Sequence, residues 1–533
     1  MERREFFKGL IATLAVVHTL PEIAHAISDY LKSLADDLAA TPSETDYWRR
    51  VGEEFLLEPG RLHFNNGSIG ATPRAIVEAH KAYLDRMETN PYGYAWSGYP
   101  EARSEAVLDK ASEFVGGRQG LMLLTRNTTE GMNLVATGIR WREGDEVLTT
   151  DHEHAGGLIC WLHMEQMAGI KVRQIHLPTP IADRGEILQR IEDGITDRTR
   201  VVSVSHVNTT TGLLMPLAEI ADITRPKGIF LVCDGAQVPG MLDVNVADLK
   251  VDAYASSSHK WMLAPKGTGL LYISGRVVSD IRPISASTGE RNNYAVYMAG
   301  GGTRNTPLML AHGDTMDFHT IIGKPRIEAR VRQLNAYLRQ RLSGFPNLTP
   351  VTPEDPGLNS AMVSYRLEGT TVGQLKSALG DRRITIKQTG YNWVLSGNSI
   401  PNESVPVIRL STHIYNDEAQ IDRLVDQMAE IMDVPTDVGM ESGSGPGAFQ
   451  VEQNYPNPFN ASTQIHYDLA RSGEVEVAVY NARGQAEQVI ASGWQEAGAH
   501  QLTWDASGRA SGTYYYEVRA GAERVARKMV LLK

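Results

Sequence analysis

Residues 256–273 of the chain are SSSHKWMLAPKGTGLLYI, and a strand's length and a turn before them stands IFLVCDGAQVPG, residues 229–240. The second stretch is a β-branched, apolar run that ends on Asp234; the first carries Lys260 just past another apolar run. Outward from this pair the same rhythm recurs. GLMLLT (120–125), DEVLTT (145–150), KVRQIHL (171–177), RVVSVSHV (200–207) and GLLYIS (269–274) are short strand-like runs. Helical patterns such as EGMNLVATGI (130–139) and LAEIADIT (217–224) fill the intervals. Strands this apolar, alternating with amphipathic helices, predict an α/β fold: a mostly parallel sheet covered on both faces. Further on, Lys324 to Leu342 predicts a long amphipathic helix, AMVSYRL and VPVIRLS predict strands, and QIDRLVDQMAEIM predicts a last helix. A large mixed-sheet part of about 60–310 and a smaller α+β part are therefore expected. The smaller part would be built from the N-terminal segment and about 320–435.

In a sheet of this kind, polar groups at the carboxyl ends of the strands face the ligand crevice. A lysine just past one strand and an aspartate ending another are what a pyridoxal phosphate (PLP) enzyme needs. The amine forms a Schiff base, and the carboxylate keeps the pyridine nitrogen protonated so that the ring accepts electrons. Lys260 and Asp234 are the candidates. Gln237, on the turn after Asp234, can reach the cofactor's phenolic oxygen, and Ser257 and His259 flank Lys260 where phosphate contacts are expected. In LLTRNTTEGMNLVATG a strand runs into Asn127-Thr128-Thr129-Glu130 and then a helix. Free N–H groups at a helix start, with hydroxyls beside them, bind phosphate, so Thr128 and Thr129 join the set. By itself the same pattern is an ordinary cap, with Asn127 at the N-cap and Glu130 three residues on.

DHEHAGGLICW supplies an imidazole, His154, to stack on the pyridine ring. His152 and His154 would share one face of a strand as a metal pair, but no CxxC or HExxH accompanies them, and no metal is expected. SHVNTTTG places His206, Asn208 and Thr209 after a strand, as phenolic-oxygen contacts or as a turn braced by Asn and Thr with a core histidine. Arg409, flanked by Val407, Ile408 and Leu410, is the natural bidentate clamp for a substrate carboxylate. Its competing reading is a surface ion pair. Arg304, on the glycine-rich GGGTRNTP, is a second substrate-binding candidate, and Tyr391, Asn392 and Trp393 are candidates for the pocket wall.

Composition narrows the partners. With 533 residues the chain is too long for one core. The formal charge of −11 carries no basic block, which disfavours nucleic acid. No apolar run is long enough to span a bilayer. The two cysteines, Cys160 and Cys233, make neither a disulfide framework nor a zinc site and are expected to be buried.

Both ends look like addresses. At the start, Arg3-Arg4, Phe6-Phe7-Lys8, the apolar stretch Ile11 to Leu20 and Ala24-His25-Ala26 resemble a twin-arginine export signal of residues 1–26. A plain amphipathic helix is the alternative. At the far end, Gly and Ser between 436 and 451 form a flexible linker. Period-two runs such as VEVAVY, HQLTW and TYYYEVRA then predict an all-β sandwich over 452–533. NYPNPFN, VYNARGQ, SGTYYYEV and the final RKMVLLK of this segment resemble the C-terminal sorting domain of the type IX secretion system. A carbohydrate-binding or adhesive module is the rival reading. Together the ends imply export to the periplasm, then secretion or cell-surface display.

The middle region, 27–435, resembles the class V aminotransferase family of fold-type I PLP enzymes, in its isopenicillin N epimerase-like and cysteine desulfurase-like branches. Six motifs in one order carry the likeness: TTEGMNLVA, HEHAGG, SHVNTTTG, DGAQ, SSSHK and RLSTHIYN. The resemblance implies PLP on Lys260, an amino-acid substrate, and a homodimer with the GGTRNTP loop reaching toward the partner's site. It leaves transamination, epimerisation and elimination, including C–S cleavage, all open. Two departures stand out. The loop QTGYNWVLSGNSIPNESVP lacks the cysteine a desulfurase needs, and Thr209 stands where many relatives carry asparagine. A catalytically inactive secreted binding protein is the reading from another class, and the retained lysine, aspartate and phosphate loop argue against it.

Overall fold

The computed structural model describes residues 20–96, 99–117, 120–283, 303–391, 405–434, 450–451, 453–469, 472–481, 485–520 and 523–532. The expected linker up to 449, most of the expected export signal, Asn392 and Trp393 lie outside these residues. The chain separates into two compact units, one ending at Val434 and one beginning at Pro435.

The first unit is built on seven strands: β1 (Gly120–Thr125), β2 (Glu146–Thr150), β3 (Lys171–Ile175), β4 (Thr199–Ser205), β5 (Phe230–Asp234), β6 (Ala253–Ser256) and β7 (Gly269–Ser274). Their order across the sheet is β1-β7-β6-β5-β4-β2-β3. Every pairing is parallel except those of β7 with β1 and β6. Burial alternates between two separate cores. Leu231, Cys233, Tyr254, Leu270 and Tyr272 face one, while Phe230, Val232, Ala253, Leu271 and Ile273 face the other. Strands apolar on both faces need cover on both, and helices supply it. Helices α2 (Thr128–Gly138) and α3 (Ala155–Ala168) bring Met132, Val135, Leu158 and Trp161 to one side. Helix α4 (Thr306–Ile322) brings Leu310, Met316 and Phe318 to the other.

Helix α1 (Leu20–Ala39) also packs there, through Ile23, Ile27, Leu31, Leu34 and Leu38. It runs unbroken through Ala24-His25-Ala26, where the sequence suggested a cleavage site. Among the described residues no helix is long and apolar enough to cross a membrane.

The expected helix α5 (Lys324–Leu342) and last helix α6 (Glu418–Met432) are both present. They cover an antiparallel sheet of β8 (Leu348–Pro350), β9 (Met362–Leu367), β10 (Lys387–Tyr391) and β11 (Val405–Ser411), ordered β10-β11-β9-β8. Leu62 and Phe64 join this smaller core beside Leu334, Val363, Ile408 and Leu424. Leu62–His63 also pair in parallel with Ile384–Thr385. The chain therefore leaves the small part at Phe64 and passes directly over the ends of the large sheet, which matters for the site.

The second unit is all-β, with strands β12 (Gln450–Val451), β13 (Ser462–Leu469), β14 (Gly473–Asn481), β15 (Ala486–Gln495), β16 (Gly498–Asp505), β17 (Gly512–Ala520) and β18 (Glu523–Leu531). They form two antiparallel sheets, β12-β13-β16 and β15-β14-β17-β18, around Tyr467, Val477, Trp504, Tyr516 and Met529. The NYPNPFN segment is part of the scaffold. Buried Asn454 donates to Thr463 Oγ1 (2.8 Å), and Phe459 packs its ring 5.6 Å from Trp504.

Candidate active site

Asp234 is the last residue of β5, and its side chain is buried. Its Oδ1 accepts from Ala236 N (2.9 Å), which turns the carboxyl out of the strand and into the crevice. Lys260 follows β6 on a tight turn held by its own N–H on Ser257 O (3.2 Å). Among the described residues its amine makes no hydrogen bond. Burial lowers its pKa to about 8; Asp234 pulls the value back up, and Arg409 and Lys387 press it down. A half-buried amine whose pKa is brought near neutrality is what capture of a carbonyl requires.

At the start of α2 the two motifs around Lys260 and Thr128 meet. Thr128 N donates to Ser257 Oγ (3.0 Å), and the two hydroxyls are 2.8 Å apart. Asn127 caps the helix by accepting from Glu130 N (2.9 Å). The carboxylate of Glu130 returns to Arg126 N instead of Asn127 N, so the capping box is only half made. His154 caps α3, accepting from Gly156 N at Nδ1 (3.0 Å). Burial of the ring is the first cause lowering its pKa, and the Lys260 amine is the next. Two glycines follow. A Cβ on Gly156 would stand 2.5 Å from Thr129 Oγ1, and one on Gly157 would stand 2.6 Å from Asp234 Oδ2. Only residues without side chains leave the slot between Thr129 and Asp234 clear.

Arg409 lies on β11, buried, with no carboxylate in ion-pair reach among the described residues. The surface ion pair is thus not its role. Nη1 donates to Thr209 O (2.9 Å) and Thr209 Oγ1 (3.0 Å); Nη2 donates to Asn65 Oδ1 (3.1 Å) and Ser68 Oγ (2.9 Å). Nε is buried and, among the described residues, finds no partner. All four acceptors are neutral. Burial lowers the guanidinium's pKa to about 10.

Gln237 closes the group, donating to Gly67 O and Thr209 Oγ1 (both 2.9 Å) and accepting from Trp261 Nε1 (2.8 Å). Asn208 is spent inside its own turn. Its Oδ1 accepts from Thr210 N, Thr211 N and Thr211 Oγ1, and its amide donates to His152 O. His206 is a core histidine: Nδ1 bonds Tyr254 OH (2.9 Å), and burial lowers its pKa to about 3.

Residues 64–424 match the family model "Aminotransferase class-V". The chain belongs to the class V aminotransferase family. It is 32% identical over 404 residues to isopenicillin N epimerase of Amycolatopsis lactamdurans, covering 72% of this chain and 98% of that one. It is 30% identical to a probable cysteine desulfurase of Halobacterium salinarum, covering 68% and 90%. Among solved structures it is similar to a lysine-to-alanine mutant of C-DES with glycine covalently linked to the PLP cofactor, with TM-score 0.62 and 23% identity over 71% of this chain and 98% of that one. Residues 453–532 match the secretion system C-terminal sorting domain.

The side chains around Lys260 in this member of the class V aminotransferase family fit PLP. They provide an unpaired amine, a buried carboxyl, hydroxyls at a helix start and a slot kept open by two glycines. Thr128, Ser257, His154, Asp234, Gln237, Thr209 and Arg409 converge as a group. His259 turns its Nδ1 to Thr268 O (3.1 Å). Arg304 is held at the far side of the sheet, donating to Leu124 O (2.9 Å) at the end of β1. Four strand spacings, roughly 19 Å, separate that end from the end of β4, where Arg409 binds Thr209. Within one chain Arg304 therefore does not share Arg409's side of the site.

The sequence reading missed Asn65, Gly67 and Ser68, although FNNGSIG (64–70) is a polar, glycine-rich turn between a strand and a helix. It also missed Lys387 and Glu153. Glu153 accepts from Thr150 Oγ1 (2.8 Å), and burial raises its pKa to about 8.

Proposed function

We propose that this chain is a PLP-dependent enzyme that moves a proton at the α-carbon of an amino acid, with the substrate's carboxylate on Arg409. The observation that supports this most strongly is Arg409 itself: a buried guanidinium bonded to four neutral oxygens, with its Nε unpartnered among the described residues. A buried charge without a counter-charge is costly, and an anionic ligand removes that cost.

When bound, PLP supplies an aldehyde that captures amines and a ring that accepts the electron pair left at the α-carbon. Lys260 would hold it and, once released by the incoming amine, act as the base at that carbon. Its lowered pKa leaves part of the population neutral near pH 7. Asp234 would keep the ring nitrogen protonated, Thr128, Thr129 and Ser257 would hold the phosphate, and His154 would cover one ring face. Between Asn208 and Thr209, the latter suits the phenolic oxygen. Asn208 is committed to its turn, whereas the Thr209 hydroxyl accepts two bonds and keeps a proton to donate.

Both cysteines are buried, on α3 and β5, and burial raises both thiols well above their usual range. With no third cysteine in the chain, sulfur transfer through a thiolate is not part of this reading. Transamination is the first reading. Epimerisation is the second, favoured by the match to nearly the whole length of isopenicillin N epimerase. The protein is expected to act as a homodimer. Twin-arginine export followed by display through the C-terminal sorting domain would place it outside the cytoplasm.

The test is a panel of L- and D-amino acids, including sulfur amino acids, assayed for keto acid, racemised product and released sulfur compounds. Borohydride should fix the cofactor's mass on the Lys260 peptide, and Lys260→Ala should abolish turnover. A protein that stays colourless with added PLP would return it to the binding-protein class.

A further inference from the structure

We infer that the substrate is an amino acid with a second acidic group on its side chain, and that Lys387 is the residue that selects it. This rests on the reading of Arg409 as the clamp for the α-carboxylate.

Lys387 opens β10 and stands directly opposite Arg409 of β11 in the antiparallel register. Directly opposed residues project from the same sheet face, with Cα atoms about 4.5–5.5 Å apart. The lysine stem therefore leaves the sheet on the side where the guanidinium meets Thr209, Asn65 and Ser68. Like charges in this relation repel. A folded chain ordinarily relieves that with a carboxylate between them, yet among the described residues Lys387 makes neither an ion pair nor a hydrogen bond. The further charged group that acts on it is Lys376, another cation.

The cross-strand register puts the lysine on the site face of the sheet, and its charge lowers the pKa of both Lys260 and His154. Arg409 and Lys387 both press on the Lys260 amine, and Arg409 presses on Lys387. On the acidic side stands Asp234. Its neighbour Glu153 has a pKa raised by burial to about 8 and is mostly neutral at pH 7.

The two cations opposite each other differ in freedom. Arg409 is pinned by four hydrogen bonds. Half-buried Lys387 is pinned by none and has a flexible four-carbon stem. A rigid fork suits the invariant α-carboxylate, and a mobile point charge suits an acid of variable reach. A monocarboxylic amino acid would neutralise one of the opposed pair and leave Lys387 without a counter-charge. An amino dicarboxylate, or an amino acid with a sulfinate or phosphonate on its side chain, neutralises both.

The experiment measures kcat/KM of the holoenzyme for aspartate, glutamate and 2-aminoadipate against alanine, norvaline and norleucine. In parallel, calorimetry measures binding of the unreactive acids glutarate and valerate. Wild type should prefer the acidic member of each set. Lys387→Met should reduce that preference about tenfold in both measurements, and Lys387→Arg should keep most of it. Equal losses for acidic and neutral compounds in Lys387→Met, or turnover of neutral amino acids by wild type with no acidic preference, would overturn the inference. Either result leaves the α-carbon reading intact. No turnover of any amino acid, with glutarate and valerate binding unchanged in Arg409→Met, would instead remove the reading beneath it.

Discussion

Gly157 approaches Asp234 so closely that a Cβ on the glycine would stand 2.6 Å from Asp234 Oδ2. The first turn of α3 and the end of β5 are pressed together with the carboxyl between them, and only hydrogen fits. Gly157→Ala must push the carboxyl aside, because the atom it meets belongs to a buried side chain. Overpacking of this kind costs about 1–3 kcal/mol. PLP affinity, followed by absorbance titration of the cofactor-free protein, should fall by about tenfold or more. Unchanged affinity would mean that Asp234 does not meet the ring.

Arg409→Met should separate binding of the carboxylate from binding of the cofactor. Removing one partner of a buried charge-assisted contact costs about 2–5 kcal/mol. kcat/KM for amino acids should fall by at least about thirtyfold, while PLP titration stays near the wild-type value. Amines that lack a carboxylate should lose much less.

Lys260 sets a pH dependence whose direction follows from its pKa of about 8. Below that value the amine is mostly protonated, so the rate at which the cofactor-free protein captures PLP should rise with pH and level off above about 8. The same depression bears on stability. Between about 8 and the ordinary 10.5 the unfolded chain holds a proton that the folded one does not, so Lys260's contribution to stability improves as pH rises through that window. Lys260→Met should remove this slope in urea titrations at pH 7.5 and 10.

Buried histidines predict the opposite limb. His206, His312 and His413 have pKa values lowered by burial to about 3, and His319 to about 4. As pH falls below about 6.5 the unfolded chain takes up these protons and the folded chain does not. Stability should drop by up to about 1.4 kcal/mol per pH unit for each imidazole. Urea midpoints at pH 8, 6 and 5 would measure it; a flat profile would contradict the neutral, buried state.

Cleavage or deletion of the second unit should leave the chemistry alone. The cores of the two units share no residue. Removal of residues 435–533 should preserve PLP binding and amino-acid turnover in the purified protein and change its cellular location. Unaltered location would remove the address reading of the sorting domain. Mass spectrometry of the exported protein's N-terminus tests the other address, since cleavage after Ala26 would take Ile23 out of the core it shares with Ile27 and Leu31.

The residues legible in sequence are those whose environment is local. Lys260, Asp234, Thr128 and Ser257 each sit within a few positions of the strand or helix end that orients them, so an apolar run followed by a polar residue was enough to find them. Arg409 was legible for the same reason, through its apolar neighbours. Asn208 and Thr209 could not be ranked, because their difference lies in hydrogen bonds to residues as far away as 409. His206 carried two readings, ligand contact or core histidine, and the hydrogen bond to Tyr254, two strands away in the sheet, makes it the second.

What the sequence by itself determined was the alternation of strand and helix, the chemistry offered at the strand ends and the change of architecture after residue 435. These depend on periodicities of two and 3.6 residues and on end signals a few positions long. Tertiary structure alone decided which side chains share a volume. It brought Asn65 and Ser68 to an arginine about 340 positions later, set Lys387 opposite that arginine, and carried Arg304 away from it. The reason is physical: strand register and sheet order create those neighbours, and neither leaves a mark in the local pattern of residues.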